Sequence, residues 1–228
     1  MIYPVHFTMP LKRNPYPGLY IAFEGIDGSG KSTQLHLVKK YFEDLKKDVI
    51  LTSEPRQEGQ IQEIIRDALF SKIHIPSRAY QHLYSADRVV NHAQVVEPAL
   101  EKGSVVLTHR SFWSAVAYGI LDLGEEYRGK TEAHIEIAHG IFSYYHQFIA
   151  PDITFYLKVS AEKAVERLSE MEKEKDIYEK GSKLKKIAHG YDTLVEHFSP
   201  AFIVIDGEQN EEEVTGQIIQ GIESYVKS

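Results

Sequence analysis

The residues best suited to chemistry stand at 25–33, Gly25-Ile26-Asp27-Gly28-Ser29-Gly30-Lys31-Ser32-Thr33. A Gly-x-x-x-x-Gly-Lys-Ser run after a strand-like stretch, Leu19 to Phe23, and before a helical pattern is a phosphate clamp. Gly25, Gly28 and Gly30 let backbone N–H groups converge on phosphate oxygens with no Cβ in the way. The helix that follows aims its positive N-terminal end at the same anion. Lys31 supplies a point charge for the β- and γ-phosphates, and the Ser32 hydroxyl a ligand for Mg²⁺. Ser29 and Thr33 belong to the same phosphate-binding set. A flexible Gly/Ser turn is the plainer reading. The amphipathic pattern Leu35, Val38, Phe42 and Leu45 argues against it, because it supplies the helix the clamp requires.

A second group of residues follows from the elements that must position the first. Strand-like runs at 19–24, 48–52, 104–108, 152–158 and 202–205 alternate with helical patterns at 31–46, 59–70, 78–101, 112–122, 131–148, 160–173, 182–196 and 211–226. This order predicts an α/β fold with a five-stranded parallel sheet and helices on both faces, each strand buried on both sides. Ser160 and Asn210 read as helix N-caps. Pro98 should kink or divide the 78–101 helix. Val214, Ile218, Ile222 and Tyr225 form a stripe that packs on the sheet.

In an open parallel sheet, ligands sit at the carboxyl ends of the strands. The residues there are Asp27 after the first strand, Glu54-Pro55-Arg56 after the second and His109-Arg110-Ser111 after the third. After the fourth, a helix carrying Arg167 leads to the charged stretch 170–186, EMEKEKDIYEKGSKLKK. Arg56, Arg110 and Arg167 with two carboxylates suggest a second phosphate site. The charged stretch reads either as a solvated helix end or as a lid over the nucleotide. Tyr84 and Arg88, four apart on one helix, share a face, and Tyr80 lies one turn earlier. A ring beside a forked cation suits a nucleobase. The alternative makes Tyr84 core and pairs Arg88 with an acid such as Glu54.

Composition bounds the rest. The formal charge of −7, from 26 basic and 33 acidic residues, argues against general nucleic-acid binding but allows a small phosphate ligand. No run of about 18 apolar residues indicates a membrane span. The absence of cysteine excludes disulfides and thiolate metal sites and fits a reducing, cytoplasmic setting. Residues 1–17, with four prolines, read as an extended N-terminal extension, and 18–228 as one domain. His134 and His139 are five apart, off one helical face, so a zinc site is not expected.

These motifs resemble the thymidylate kinase family. The likeness runs from about residue 19 to 226 and rests on FEGIDGSGKST, SEPR, LYSADRVVNH, HRSFWSAVAYG and IYEKGSKLKKIAHGY. It implies a P-loop kinase fold with a lid at about 170–186, ATP and Mg²⁺ as cofactors, dTMP as acceptor and a homodimer. The resemblance gives Tyr84 the stack on thymine and Arg88 a base carbonyl. Asp27 lies near the 3′-hydroxyl and acceptor phosphate, Arg110 bridges donor and acceptor phosphates, and Arg56 holds the acceptor phosphate. Ser114 and Tyr118 stand beside sugar and base, Arg167 at the adenine edge. Lys173, Lys175 and Lys180 are the lid's candidate cations.

Some residues depart from the family pattern. His109 replaces an Asp that supports the Mg²⁺ shell, Arg56-Gln57 replaces glycines, and Gly119 stands where a polar residue reads the thymine edge. Two other functions fit such departures. A deoxynucleoside kinase would need Glu54 as a base for a hydroxyl acceptor. A nucleotide-binding homologue with an impaired metal shell would sense nucleotide rather than turn it over.

Overall fold

Strand β1 (Leu19–Glu24) is the centre from which the architecture is laid out. It pairs in parallel with β3 (Val105–His109) on one side and β4 (Ile153–Lys158) on the other. Strand β2 (Val49–Ser53) adds outside β3 and β5 (Ile203–Asp206) outside β4, giving the order β2-β3-β1-β4-β5, all parallel. The computed structural model describes residues 10–124, 140–145, 147–170, 178 and 181–227.

Parallel neighbours cannot be joined by tight turns, so each connection crosses a face of the sheet, here through helices. These are α1 (Lys31–Asp44), α2 (Gln60–Leu69), α3 (Ser77–Asn91), α4 (Glu97–Glu101), α5 (Phe112–Gly124), α6 (helical over 140–145), α7 (Ala161–Ser169), α8 (Gly181–His197) and α9 (Glu211–Val226). Alternation along β1 decides which face each side chain serves. Ile21 and Phe23 pack with Leu35, Val38 and Phe42 of α1 and Val214, Ile218 and Ile222 of α9. Tyr20 points the other way, to Val96 and Leu100. Glu24 shares that second face and meets α5.

The expected strands match the observed ones to within one residue at each end. Two expectations need correction. The edge strands are not buried on both faces: every β2 residue is half-buried, and Val204 of β5 is 45% exposed. Leu45 and Tyr225 leave their stripes because each sits at a helix end beyond the sheet, and both are exposed. The expected 78–101 helix is divided just ahead of Pro98: a π-helical turn, His92–Val96, joins α3 to α4, and the Glu97 N–H reaches the His92 carbonyl. That wide turn, just upstream, relieves the clash between a proline ring and the carbonyl four residues back.

Helix α7 ends at Ser169 rather than 173. The N-caps form as expected: Ser160 Oγ accepts the Lys163 N–H and Asn210 Oδ1 the Glu213 N–H. Residues 12–18 lie along the sheet's amino-terminal end. The Lys12 carbonyl accepts the Ala150 N–H, and Asn14 Nδ2 donates to Gly18 O and Asp152 Oδ2. No helix among the described residues is long and apolar enough to cross a membrane.

Candidate active site

The clamp spans the gap between β1 and α1. Gly28 has φ +83°, and a Cβ there would stand 2.6 Å from the Ala164 carbonyl oxygen, so the loop can approach α7 only with glycine. Lys31 Nζ donates to the carbonyls of Gly25 (3.0 Å) and Ile26 (2.8 Å), which holds the ammonium over the loop. Gly25, Ser29 and Gly30 form the loop itself. Ser32 and Thr33, on the first turn of α1, face a groove of about 690 Å³. Arg167 forms its far wall and donates to the carbonyls of Gly28 (3.3 Å) and Gly207 (2.9 Å).

Arg110 follows β3 directly. Its backbone is left-handed (φ +73°), fixed by its own N–H to Phe23 O (2.9 Å) and by Thr108 Oγ1 on its carbonyl (2.7 Å). This turn carries the guanidinium to the clamp and α5. Nη2 donates to Asp27 Oδ1 and to the Tyr118 hydroxyl, both at 2.7 Å. Nη1 donates to Gly25 O (3.0 Å), Ser114 Oγ (3.2 Å) and the Tyr191 hydroxyl (3.2 Å). Burial opposes the charge, but Tyr118, Asp27, Tyr191 and Glu24 hold Arg110 protonated, well above its ordinary pKa. Burial likewise opposes the Asp27 charge, yet Arg110 and Lys31 hold its carboxyl well below the usual range.

Glu24 organises this side from beneath and is fully buried. Oε1 accepts the Ser111 N–H (2.7 Å) and hydroxyl (2.8 Å). Oε2 accepts the hydroxyls of Ser114 (2.5 Å) and Tyr191 (2.8 Å). Four donors to one carboxylate fix Ser114, and through it the start of α5.

Above this network lies a cavity of about 120 Å³ lined by Tyr84, Arg88, Arg110, Ser114, Tyr118 and Tyr178, among others. Tyr84 is half-buried on its wall and stacks on Tyr80, with ring centroids 6.1 Å apart and planes at 27°. Arg88 Nε donates to Glu54 Oε2 at 2.5 Å, and its guanidinium carbon lies 4.2 Å from the centre of the Tyr145 ring. Both sequence readings of Arg88 therefore hold in geometry: it is paired with Glu54, and it lines the cavity. Tyr84 is not core.

A second groove, about 800 Å³, runs past Ser32, Glu54, Arg56, His109 and Arg110. Asp87 accepts from the Arg56 backbone N–H (2.8 Å) and Nε (2.9 Å), orienting that side chain. His109 borders both grooves. Burial, Lys31 and Arg110 together push its imidazole well below its ordinary pKa, so it is neutral. For Glu54, burial raises the carboxyl pKa, but Arg88 and His92 outweigh it and the net direction is down.

A family model described as thymidylate kinase matches residues 23–218. The chain belongs to the thymidylate kinase family. It is 36% identical over 211 residues to the thymidylate kinase of Thermosipho melanesiensis, covering 91% of this chain and 99% of that protein. It is 32% identical over 219 residues to that of Mesoplasma florum, covering 92% and 99%.

Within this thymidylate kinase framework, the structure gathers Asp27, Lys31, Arg56, Tyr84, Arg88, Arg110, Ser114, Tyr118 and Arg167 around one cavity and its two adjoining grooves. Lys173, Lys175 and Lys180 lie outside the described residues. Gly119 has a packing reason: a Cβ there would meet Ile141 Cδ1 at 2.1 Å and Gln81 Nε2 at 3.0 Å. Ile141 fills the space a side chain would need. Sequence reasoning passed over Glu24, Asp87, Tyr178 and Tyr191. For Glu24 a signal existed, since a carboxylate ends an otherwise apolar, buried strand. Tyr178 meets the Tyr118 ring edge-on at 5.0 Å and joins the cavity wall, though it belongs to the charged stretch.

Proposed function

We propose that this chain transfers the γ-phosphoryl group of ATP to the phosphate of dTMP, giving ADP and dTDP, with Mg²⁺ as the metal. The observation that carries this reading is the junction at Asp27 and Arg110. Asp27 borders both the clamp's groove and the cavity, and Arg110 borders the cavity and the second groove. A donor phosphate on the clamp and an acceptor nucleotide in the cavity would meet at this ion pair.

The acceptor oxygen is largely ionised near neutral pH, because a phosphate's second pKa is about 6. The reaction then needs positioning and charge neutralisation rather than a general base. Lys31 and Arg110 supply positive charge; the lid cations Lys173 and Lys175 add to it. Asp27 holds the Arg110 guanidinium in plane and faces the sugar 3′-hydroxyl, with Tyr118 and Ser114 alongside. Tyr84 stacks on the base, Arg88 donates to its carbonyl, Arg56 holds the acceptor phosphate and Arg167 lies along the adenine.

Ser32 would hold the metal. Its exposed hydroxyl faces the groove, and the described residues contain no group of three or more His, Cys, Asp or Glu that could hold a metal ion. One protein ligand with phosphate oxygens and water is an ordinary Mg²⁺ site, so the donor set fits. When bound, the ion neutralises charge on the β- and γ-oxygens. Neutral His109 adds no charge to that shell. Glu54 argues against a hydroxyl acceptor, because Arg88 at Oε2 and His92 lower the carboxyl pKa and so weaken it as a base.

We also infer one kinase domain over 18–228 with 1–17 as an extension, a cytoplasmic setting and a homodimer. The exposed side of α3 supports the dimer: Ala86 and Val89 are open there, and His82 meets Tyr144 edge-on. Sedimentation of the purified chain tests it.

A coupled ADP-release assay with ATP and Mg²⁺ against dTMP, dUMP, other monophosphates and thymidine tests the reaction. Turnover with dTMP is expected. Turnover with thymidine but no monophosphate would contradict it.

A further inference from the structure

The buried side chains under the cavity include several polar atoms without hydrogen bonds among the described residues: Arg88 Nη1, Glu54 Oε1 and His92 Nδ1. Such atoms are uncommon in folded proteins, and each calls for a partner. Here they form a chain. Glu54 holds Arg88 at Nε through Oε2, at 2.5 Å. That contact, with the Tyr145 ring beneath, fixes the guanidinium plane and leaves Nη1 uncommitted on a side chain that lines the cavity. The other carboxylate oxygen, Oε1, lies 3.6 Å from His92 Nε2.

His92 is itself held in place. It opens the π-helical turn, is buried, and its ring packs on Phe148 at 4.9 Å and edge-on to Tyr20 at 6.0 Å. The extra residue of a π turn re-aims the side chains that follow it relative to the preceding helix. A buried carboxylate oxygen is costly without a donor, and Nε2–H stands within a few tenths of an ångström of hydrogen-bond reach. Without that donor, Oε1 would be left buried and unpaired, and the carboxylate would be free to tilt away from Arg88 Nε.

We propose that His92 is a positioning residue for recognition of the acceptor base. Its Nε2 holds Glu54 Oε1, so Glu54 pins Arg88 at Nε and keeps the guanidinium edge that lines the cavity turned toward a base carbonyl. The inference rests on the reading of the cavity as the dTMP site and deepens it.

Steady-state kinetics of the full chain, with dTMP and ATP varied in turn, test it. His92→Gln keeps an N–H near the reach of Nε2, while His92→Asn is one methylene shorter and cannot span to Glu54. The Asn variant should raise KM for dTMP about tenfold, with kcat and KM for ATP within about twofold of the unmodified chain. The Gln variant should stay within about twofold throughout. Equal dTMP KM values for the two variants would overturn the proposal. So would a loss shared by kcat and both KM values, the mark of a merely structural role. Absence of dTMP turnover in the unmodified chain would overturn the proposed function and this inference with it, which separates the two failures.

Discussion

Arg110 Nη2 and Asp27 Oδ1 stand 2.7 Å apart, joining the residue after β3 to the middle of the clamp across 83 positions of sequence. The pair lies where the groove beside the glycine-rich loop meets an aromatic-walled cavity, and it is held from below by Glu24 through Ser114 and Tyr191. Charge for the reaction is thus set in place by the fold before any substrate arrives, which is the arrangement that electrostatic catalysis requires.

Arg110→Ala should lower kcat by about 10²–10³-fold, the usual effect of removing one preorganised charge from a transition state. KM for ATP should change little, because the proposal gives the hold on the donor to the clamp backbone and Lys31. Steady-state kinetics with saturating dTMP check this. An equal loss in ATP affinity would remove Arg110 from the bridging position.

Glu24→Gln should destabilise the fold by about 2–3 kcal/mol, since hydrogen bonds to a buried charged acceptor are among the strong ones. The amide nitrogen cannot accept from the hydroxyls and amide that now converge on Oε1 and Oε2. Chemical denaturation reads the change, and a loss under about 0.5 kcal/mol would contradict the network described.

Much of this arrangement was legible in the chain, and the reasons differ by residue. The clamp is a local motif, so Gly25 to Thr33 announce their place through neighbours alone. Strand limits follow from short apolar runs. Tyr84 and Arg88 are one helical turn apart, and their shared face could be read from spacing. The remainder depends on contacts between distant elements. Glu24 meets Tyr191 across 167 positions and Asp87 meets Arg56 across 31, with no local pattern to signal either. Tyr225 and Leu45 fit their helical stripes, but where a helix overruns the sheet is a tertiary fact. The π turn ahead of Pro98 satisfies a local rule in a way the rule does not name.

Gly119→Ala should cost about 1–3 kcal/mol through overpacking against Ile141 Cδ1. Ile141→Val removes that atom. In its background the Gly119→Ala penalty should fall by about 1 kcal/mol, a double-mutant coupling expected for residues in contact. Thermal or chemical denaturation of the four proteins measures it. Additive effects would mean that Ile141 is not what keeps position 119 a glycine.

His109 predicts a pH effect on stability. Its folded pKa is depressed by burial, Lys31 and Arg110, while the unfolded value is about 6.5. Below about pH 6.5 the unfolded chain binds a proton that the folded chain refuses, so stability falls as pH falls and is recovered above that value. His109→Asn should flatten the decline between about pH 6.5 and 5 relative to the unmodified chain. Denaturation midpoints across that range test it, and identical slopes would mean that His109 is protonated in the folded state.

The most direct test of the central claim is a competition. ATP, dTMP and thymidine are mixed with Mg²⁺ and the chain, and the phosphorus-31 spectrum follows where the phosphoryl group goes. The account predicts dTDP formation with thymidine untouched, abolished in Lys31→Ala protein that remains folded. Conversion of thymidine to dTMP with no dTDP formed would contradict it.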